Sequence, residues 1–121
     1  MLFYHLFSQD PRIVKRHAGE FLFHEGEVGQ NMYVLTQGKA EILLGDDVVE
    51  DAEVGAILGE MAVIEPGPRS ASVRALGDCE FVEIDQKRFD FLVSQTPYFA
   101  TSVMRIMVTR LRKTNASLKA H

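Results

Sequence analysis

A chain of 121 residues has room for one domain around one hydrophobic core, and its 46% apolar and 25% charged residues are typical of a folded globular protein. A net charge of −4 gives no global affinity for nucleic acid, and the single cysteine, Cys79, excludes an intramolecular disulfide framework. No apolar run approaches the ~18 residues that span a bilayer and the first residues lack a secretory-signal pattern, so a reducing cytoplasm is the expected setting.

Residues 1–19 open on Leu2, Phe3, Tyr4, Leu6 and Phe7, and Ser8 to Arg12 offer a capping serine and a proline suited to starting a short helix. A helical lead-in is expected there. From about 21 to 85, short β-rich runs at 32–35, 40–44, 72–76 and 80–84 are separated by turn residues. The glycines at 26, 29, 38, 45, 55, 59, 67 and 77 recur at strand-plus-turn intervals, which favours an antiparallel sandwich or barrel. Beyond Gln86 the texture becomes helical, predicting helices over about 86–96 and 98–118 on either side of Pro97. The expected fold class is therefore α+β: an antiparallel β-barrel or jelly roll (double-stranded β-helix) with an N-terminal helix, a short helix near residue 60 and two C-terminal helices. All of it is expected to form a single domain over 1–121.

In the long helix, Met104, Met107, Leu111, Thr114 and Leu118 are spaced 3, 4, 3 and 4, a heptad-like seam with one polar position, and Val103, Ile106 and Arg110 form a neighbouring line. The pattern fits a helix packed on its own domain or a parallel homodimer through residues 98–118, and the homodimer is the preferred expectation. Arg105, Arg110, Arg112, Lys113 and Lys119 crowd this end of the chain. A solvated helix face, helped by the preference for cations near a helix C-terminus, accounts for them.

The residues with the most chemistry lie between Ile57 and Val73. Gly59 precedes a run able to form one or two helical turns before Pro66-Gly-Pro stops it, which offers backbone N–H groups to an anion. Arg69 supplies a planar cationic fork matched to two phosphate oxygens. Glu60, when ionised, only accepts hydrogen bonds; that suits a sugar hydroxyl and repels phosphate. Ala62, Ser70 and Ala71 are small enough for a ligand to approach the backbone closely. Taken singly, each of these residues is what any solvated surface supplies.

Taken together, Gly59, Glu60, Ala62, Arg69, Ser70 and Ala71 resemble the phosphate-binding cassette of cyclic-nucleotide-binding domains, the family found in catabolite activator protein relatives, protein kinase A regulatory subunits and cyclic-nucleotide-gated channels. Upstream, Phe23 to Ile42 resembles the family's glycine-bounded strand pair, with Gly26, Glu27, Gly29, Met32, Tyr33 and Gly38 at the expected places. The resemblance covers about residues 12–118. It implies that Glu60 binds the ribose 2′-hydroxyl and that Arg69 neutralises the cyclic phosphate. Backbone N–H groups of Gly59, Glu60, Met61 and Ala62, and those around Ser70 and Ala71, would complete the anion site with the Ser70 hydroxyl. The segment Arg110 to Asn115 resembles the end of the long helix in catabolite activator protein relatives. It implies a base contact from Thr114 in its own subunit and from Asn115 of the partner, although asparagine stands here in place of the family's serine. The implied ligand is cAMP ahead of cGMP, with Ser70 at a position where cyclic-GMP-selective members often carry threonine. Gly26, Gly29 and Gly38 read as structural residues that allow tight turns and positive φ, with Gly38 also able to line the pocket wall. Phe23, Met32, Tyr33, Leu35, Ile42, Val73 and Phe81 read as core.

Transcription factors of this type continue into a helix-turn-helix, whereas this chain stops at His121, so specific DNA binding is not expected of it. Output is expected to pass through an effector protein or a longer parent chain. No catalytic residue, metal or cofactor is expected beyond the cyclic nucleotide ligand. The rival from another class is a cupin-like metal enzyme, which needs several imidazoles converging on one ion; of the four histidines, at 5, 17, 24 and 121, only His24 lies within the barrel segment. No Gly-x-Ser-x-Gly elbow or P-loop is present. A third possibility is an interaction module with a vestigial pocket, against which intact Glu60 and Arg69 argue.

Overall fold

The structure, a computed structural model, describes residues 2–119 and the side chains of residues 3–116. The N-terminal helix α1 (Leu2–Phe7) lies ahead of Ser8 instead of starting there. Phe3 and Phe7, four residues apart, make one buried face, and the Ser8 N–H donates to the Tyr4 carbonyl (2.8 Å) as the helix ends. Asp10 then accepts from the Arg12 N–H (2.9 Å), and Pro11 within this turn cannot extend the helix.

Ten strands and a short helix follow: β1 (Ile13–Arg16), β2 (Phe21–Phe23), β3 (Val28–Gly29), β4 (Met32–Gln37), β5 (Ala40–Leu44), β6 (Asp47–Ala52), β7 (Ile57–Leu58), α2 (Glu60–Ile64), β8 (Gly67–Pro68), β9 (Ser72–Ala75) and β10 (Cys79–Ile84). Strand pairing thus begins at Ile13, earlier than the expected barrel start near 21. Every pairing is antiparallel. The strands form one four-stranded sheet in the order β1-β10-β4-β7, a second in the order β2-β9-β5-β6, and a two-stranded ribbon of β3 and β8. This is the antiparallel jelly-roll arrangement, with an N-terminal helix and C-terminal helices.

The core takes side chains from both sheets. Leu35, Leu58 and Phe81 come from the first; Leu22, Phe23, Ile42, Val73 and Ala75 come from the second. Each large apolar side chain removed from water contributes roughly 1.5–3 kcal/mol. Of the residues expected in the core, Phe23, Met32, Leu35, Ile42, Val73 and Phe81 are buried, while Tyr33 is half-buried because its hydroxyl reaches the Glu83 carboxylate (2.8 Å). α1 and α2 both pack on β4.

Residues up to Gln86 form one compact unit, and those from Lys87 onward form a second. The second contains α3 (Gln86–Gln95, but for its first residue) and α4 (Phe99–Lys119). The rings of Phe89 and Phe99 meet edge to face at 5.7 Å, and Leu92 and Val103 are buried. Between the helices, Tyr98 takes a positive φ of 66°, a conformation that costs a non-glycine residue about 1 kcal/mol or more. Along the expected seam of α4, Met104 and Leu111 are exposed and Met107 is half-buried. The side chains of Leu118 and Lys119 fall outside the described residues. No described helix is long and apolar enough to cross a membrane.

Gly38 backs onto the β9–β10 turn. It holds φ +90°, and a Cβ there would overlap the Asp78 carbonyl and lie 2.9 Å from Cys79 Sγ. Gly77 has an ordinary φ and nothing within 4 Å of a built Cβ. Gly38→Ala is expected to cost about 1–3 kcal/mol in urea denaturation, while Gly77→Ala is near neutral; equal losses would show that close approach at Gly38 is unimportant.

Candidate anion-binding site

The two motifs singled out in the sequence meet through the β3–β8 ribbon. Val28 pairs with Pro68 and Gly29 with Gly67, and the ladder extends as the Gly26 N–H donates to the Arg69 carbonyl and the Arg69 N–H donates to the Glu27 carbonyl (2.8 Å each). A two-stranded ribbon tolerates Pro68, which has no N–H to give a central ladder. Ser72 strengthens the junction by accepting the Glu25 N–H at its hydroxyl (2.8 Å).

From this ribbon the Arg69 side chain turns inward and is 7% exposed. Its Nη1 donates to the Asn31 carbonyl (2.8 Å), and its guanidinium carbon lies 4.1 Å from the centroid of the Phe23 ring and 5.9 Å from that of Tyr33. Nε is buried without a hydrogen-bond partner, and Arg69 makes no ion pair among the described residues. The contrast with nearby Arg74 is direct: its Nε donates to Glu41 Oε1 (2.8 Å) across the β9–β5 pairing. Burial lowers the pKa of Arg69 from the usual arginine value, and the more distant Tyr33, Glu27 and Glu83 only oppose that shift. Arginine nevertheless keeps its proton. The chain thus holds a buried cation with no anion beside it, an arrangement that is costly unless a counter-charge arrives.

Gly59 borders the same space. It caps α2 in the left-handed conformation (φ 73°, ψ 23°), and a Cβ there would lie 2.5 Å from Arg69 Nη1 and 3.2 Å from the Asn31 oxygen. Glu60 follows immediately as the first residue of α2 and is 4% exposed. Ala62 is also buried, Ala71 is half-buried, and Met61 and Ser70 are exposed. Tyr33 is a neutral donor, its pKa pushed up to about 12 by burial first and then by its bond to Glu83.

The fold therefore brings Gly59 against the Arg69 guanidinium, with Glu60 and Ala62 following it as buried residues of α2. Thr114 and Asn115 lie on α4 in the second unit, both exposed, and the Thr114 hydroxyl donates to the Arg110 carbonyl (3.0 Å). Three participants in the Arg69 surroundings differ from what the residue pattern suggests. Gly29 has no positive φ; the Arg69 guanidinium itself fills the place of a side chain. Phe23, read as core alone, also presents a ring face to the cation. Asn31 acts through its backbone carbonyl, for which a sequence carries no signal.

Other recesses offer less chemistry. A shallow recess of about 210 Å³ at the α3–α4 turn, lined by Val93, Thr96, Pro97 and Tyr98 among others, has no charged side chain. Among the described residues no three His, Cys, Asp or Glu side chains converge as metal ligands would.

Comparison with known proteins converges on the same region. The cyclic nucleotide-binding domain family matches residues 13–96. A CRP-like cAMP-activated global transcriptional regulator of Mycobacterium tuberculosis is 27% identical over 107 residues, covering 83% of this chain and 47% of the regulator. The catabolite activator protein of Thermus thermophilus superposes with a TM-score of 0.75 at 26% identity, over 90% of this chain and 55% of that one. A structure solved for a cyclic-GMP-dependent signalling pathway that regulates bacterial phytopathogenesis superposes with a TM-score of 0.73 at 26% identity, over 91% and 89% of the two chains. The chain spans about half the length of the mycobacterial regulator. With the family match running through β3, α2 and Arg69, the chain belongs to the cyclic nucleotide-binding domain family.

Proposed function

We propose that this chain is a non-catalytic sensor of a cyclic mononucleotide, taking cAMP in preference to cGMP, and that it works in the cytoplasm through a longer parent protein or an effector. The observation that carries this reading is Arg69: a buried guanidinium with an unpaired Nε and no carboxylate beside it. The cyclic phosphate is the missing anion. Gly59, Glu60, Met61 and Ala62, with Ser70 and Ala71, frame the phosphate with backbone N–H groups, and the exposed Ser70 hydroxyl adds a donor. Glu60 accepts from the ribose 2′-hydroxyl, and as an acceptor-only group it also keeps the phosphate on the Arg69 side.

Thr114 meets the base from its own subunit and Asn115 from a partner, in a parallel homodimer formed through residues 98–118. The exposure of Met104 and Leu111 supports that use of α4, since a heptad seam needs a partner to cover it. Residues 1–121 act as a single regulatory domain in this reading. Turnover of the ligand has no support in the site: a positioned nucleophile or metal-bound water is required, and the Arg69 surroundings offer hydrogen-bond donors and an aromatic face. Ligand binding alters the setting of the α3–α4 connection around Val93 to Pro97, which requires different ligand affinities for the two settings.

Calorimetric titration with cAMP and cGMP tests the assignment. Binding of cAMP ahead of cGMP is expected; no binding of either at ~1 mM, a free energy weaker than about −4 kcal/mol, overturns it. Arg69→Ala is expected to weaken cAMP binding by about 10- to 100-fold, the worth of a hydrogen bond to a charged group, and equal affinities overturn the phosphate assignment. Glu60→Ala weakens cAMP binding less, and the loss disappears when 2′-deoxy-cAMP replaces cAMP. In sedimentation, Leu111→Glu is expected to convert a dimer to a monomer, whereas a monomeric parent chain removes the homodimer from the reading.

A further inference from the structure

The Arg69 guanidinium sits where a side chain at position 29 would have to be. A Cβ built on Gly29 would overlap Arg69 Nε and Cζ and lie 2.6 Å from Nη2. Gly29 does not need its conformational freedom, since its φ is not positive, and the three atoms nearest to a Cβ there all belong to the Arg69 guanidinium end. A second wall is the Phe23 ring, whose centroid lies 4.1 Å from Cζ and whose negative π face offsets part of the desolvation of the cation. At one end, the Asn31 carbonyl takes Nη1. Nε is left without a partner.

We propose that Gly29 and Phe23 are positioning residues for the phosphate-binding arginine: the missing side chain at 29 makes a slot, and the Phe23 ring is its wall. The slot holds the guanidinium desolvated and oriented before any ligand arrives, so little ordering of a long flexible side chain remains to be done on binding. Gly59 contributes to the same slot, but its left-handed backbone makes a substitution there strained for a second reason, so Gly29 is the cleaner probe. The consequence for affinity rests on the proposed function; the positioning itself does not.

The test is NMR of the Arg69 side-chain Nε–H in the ligand-free chain, assigned by its disappearance in Arg69→Lys. In the parent chain the resonance is expected to be shifted upfield by the Phe23 ring current and slow to exchange with water. Gly29→Ala is expected to return it to the position of a solvated arginine, and Phe23→Leu to remove the ring-current shift. Gly67→Ala, opposite Gly29 in the ribbon but with nothing within 4 Å of a built Cβ, should leave it in place. A solvated-type resonance in the parent chain, or one unmoved by Gly29→Ala, overturns the proposal. By cAMP titration, Gly29→Ala should weaken binding about tenfold, with no further loss in the Arg69→Ala background; equal losses in both backgrounds overturn the role in binding. If neither cAMP nor cGMP binds the parent chain, the sensor reading falls alone, and the resonance still decides whether Gly29 positions Arg69.

Discussion

A guanidinium taken out of water with no anion beside it sets the terms for the rest of this structure. The effective desolvation penalty of a buried ion is several kcal/mol. Against it stand one charged hydrogen bond to the Asn31 carbonyl, worth about 1.5–3 kcal/mol, and one cation–π contact with Phe23, worth about 0.5–2 kcal/mol. Both leave Nε unsatisfied. Arg74 shows what the same scaffold does with a structural arginine: it gives it a carboxylate, Glu41, on the neighbouring strand. Arg69 is built differently, and the difference is what an anion-binding residue requires.

Holding a cation in this state makes demands on the chain around it. The β3–β8 ribbon fixes the Arg69 backbone with two hydrogen bonds to the segment from Gly26 to Glu27, and so aims the side chain inward. Position 29 has to be side-chain-free to admit it, and position 59 has to be both side-chain-free and left-handed, because the chain there turns from β7 directly into α2. These constraints couple two stretches far apart in sequence. Neither stretch makes the site without the other, and the sandwich of two antiparallel sheets keeps their spacing rigid.

Much of the architecture was legible residue by residue. The runs at 32–35, 40–44, 72–76 and 80–84 correspond to β4, β5, β9 and β10, and the two C-terminal helices fall within a residue or so of their expected ends. What was not legible lies at edges. β1 is an edge strand with a weak exposed-to-intermediate alternation, and β6, Asp47–Ala52, is an acidic edge strand, so their identity comes from the partner across the ladder rather than from their own pattern. The first helix lies ahead of Ser8 for a related reason. Ser8 and Pro11 fit a helix start in isolation, but burial of Phe3 and Phe7 puts the helix before them.

The sequence by itself determined the fold class, the family resemblance and the identity of Glu60 and Arg69 as the two charges of interest, because these depend on residue type and order along the chain. Tertiary structure alone decided that Arg69 lies buried and uncompensated, that Gly29 is a space for its guanidinium, and that Phe23 and the Asn31 carbonyl hold it. Desolvation, overlap and ring contact are properties of groups brought together across the β2–β9, β3–β8 and β4–β7 pairings. A linear sequence records which side chains are available; which of them lose their water together is set only when the sheets close.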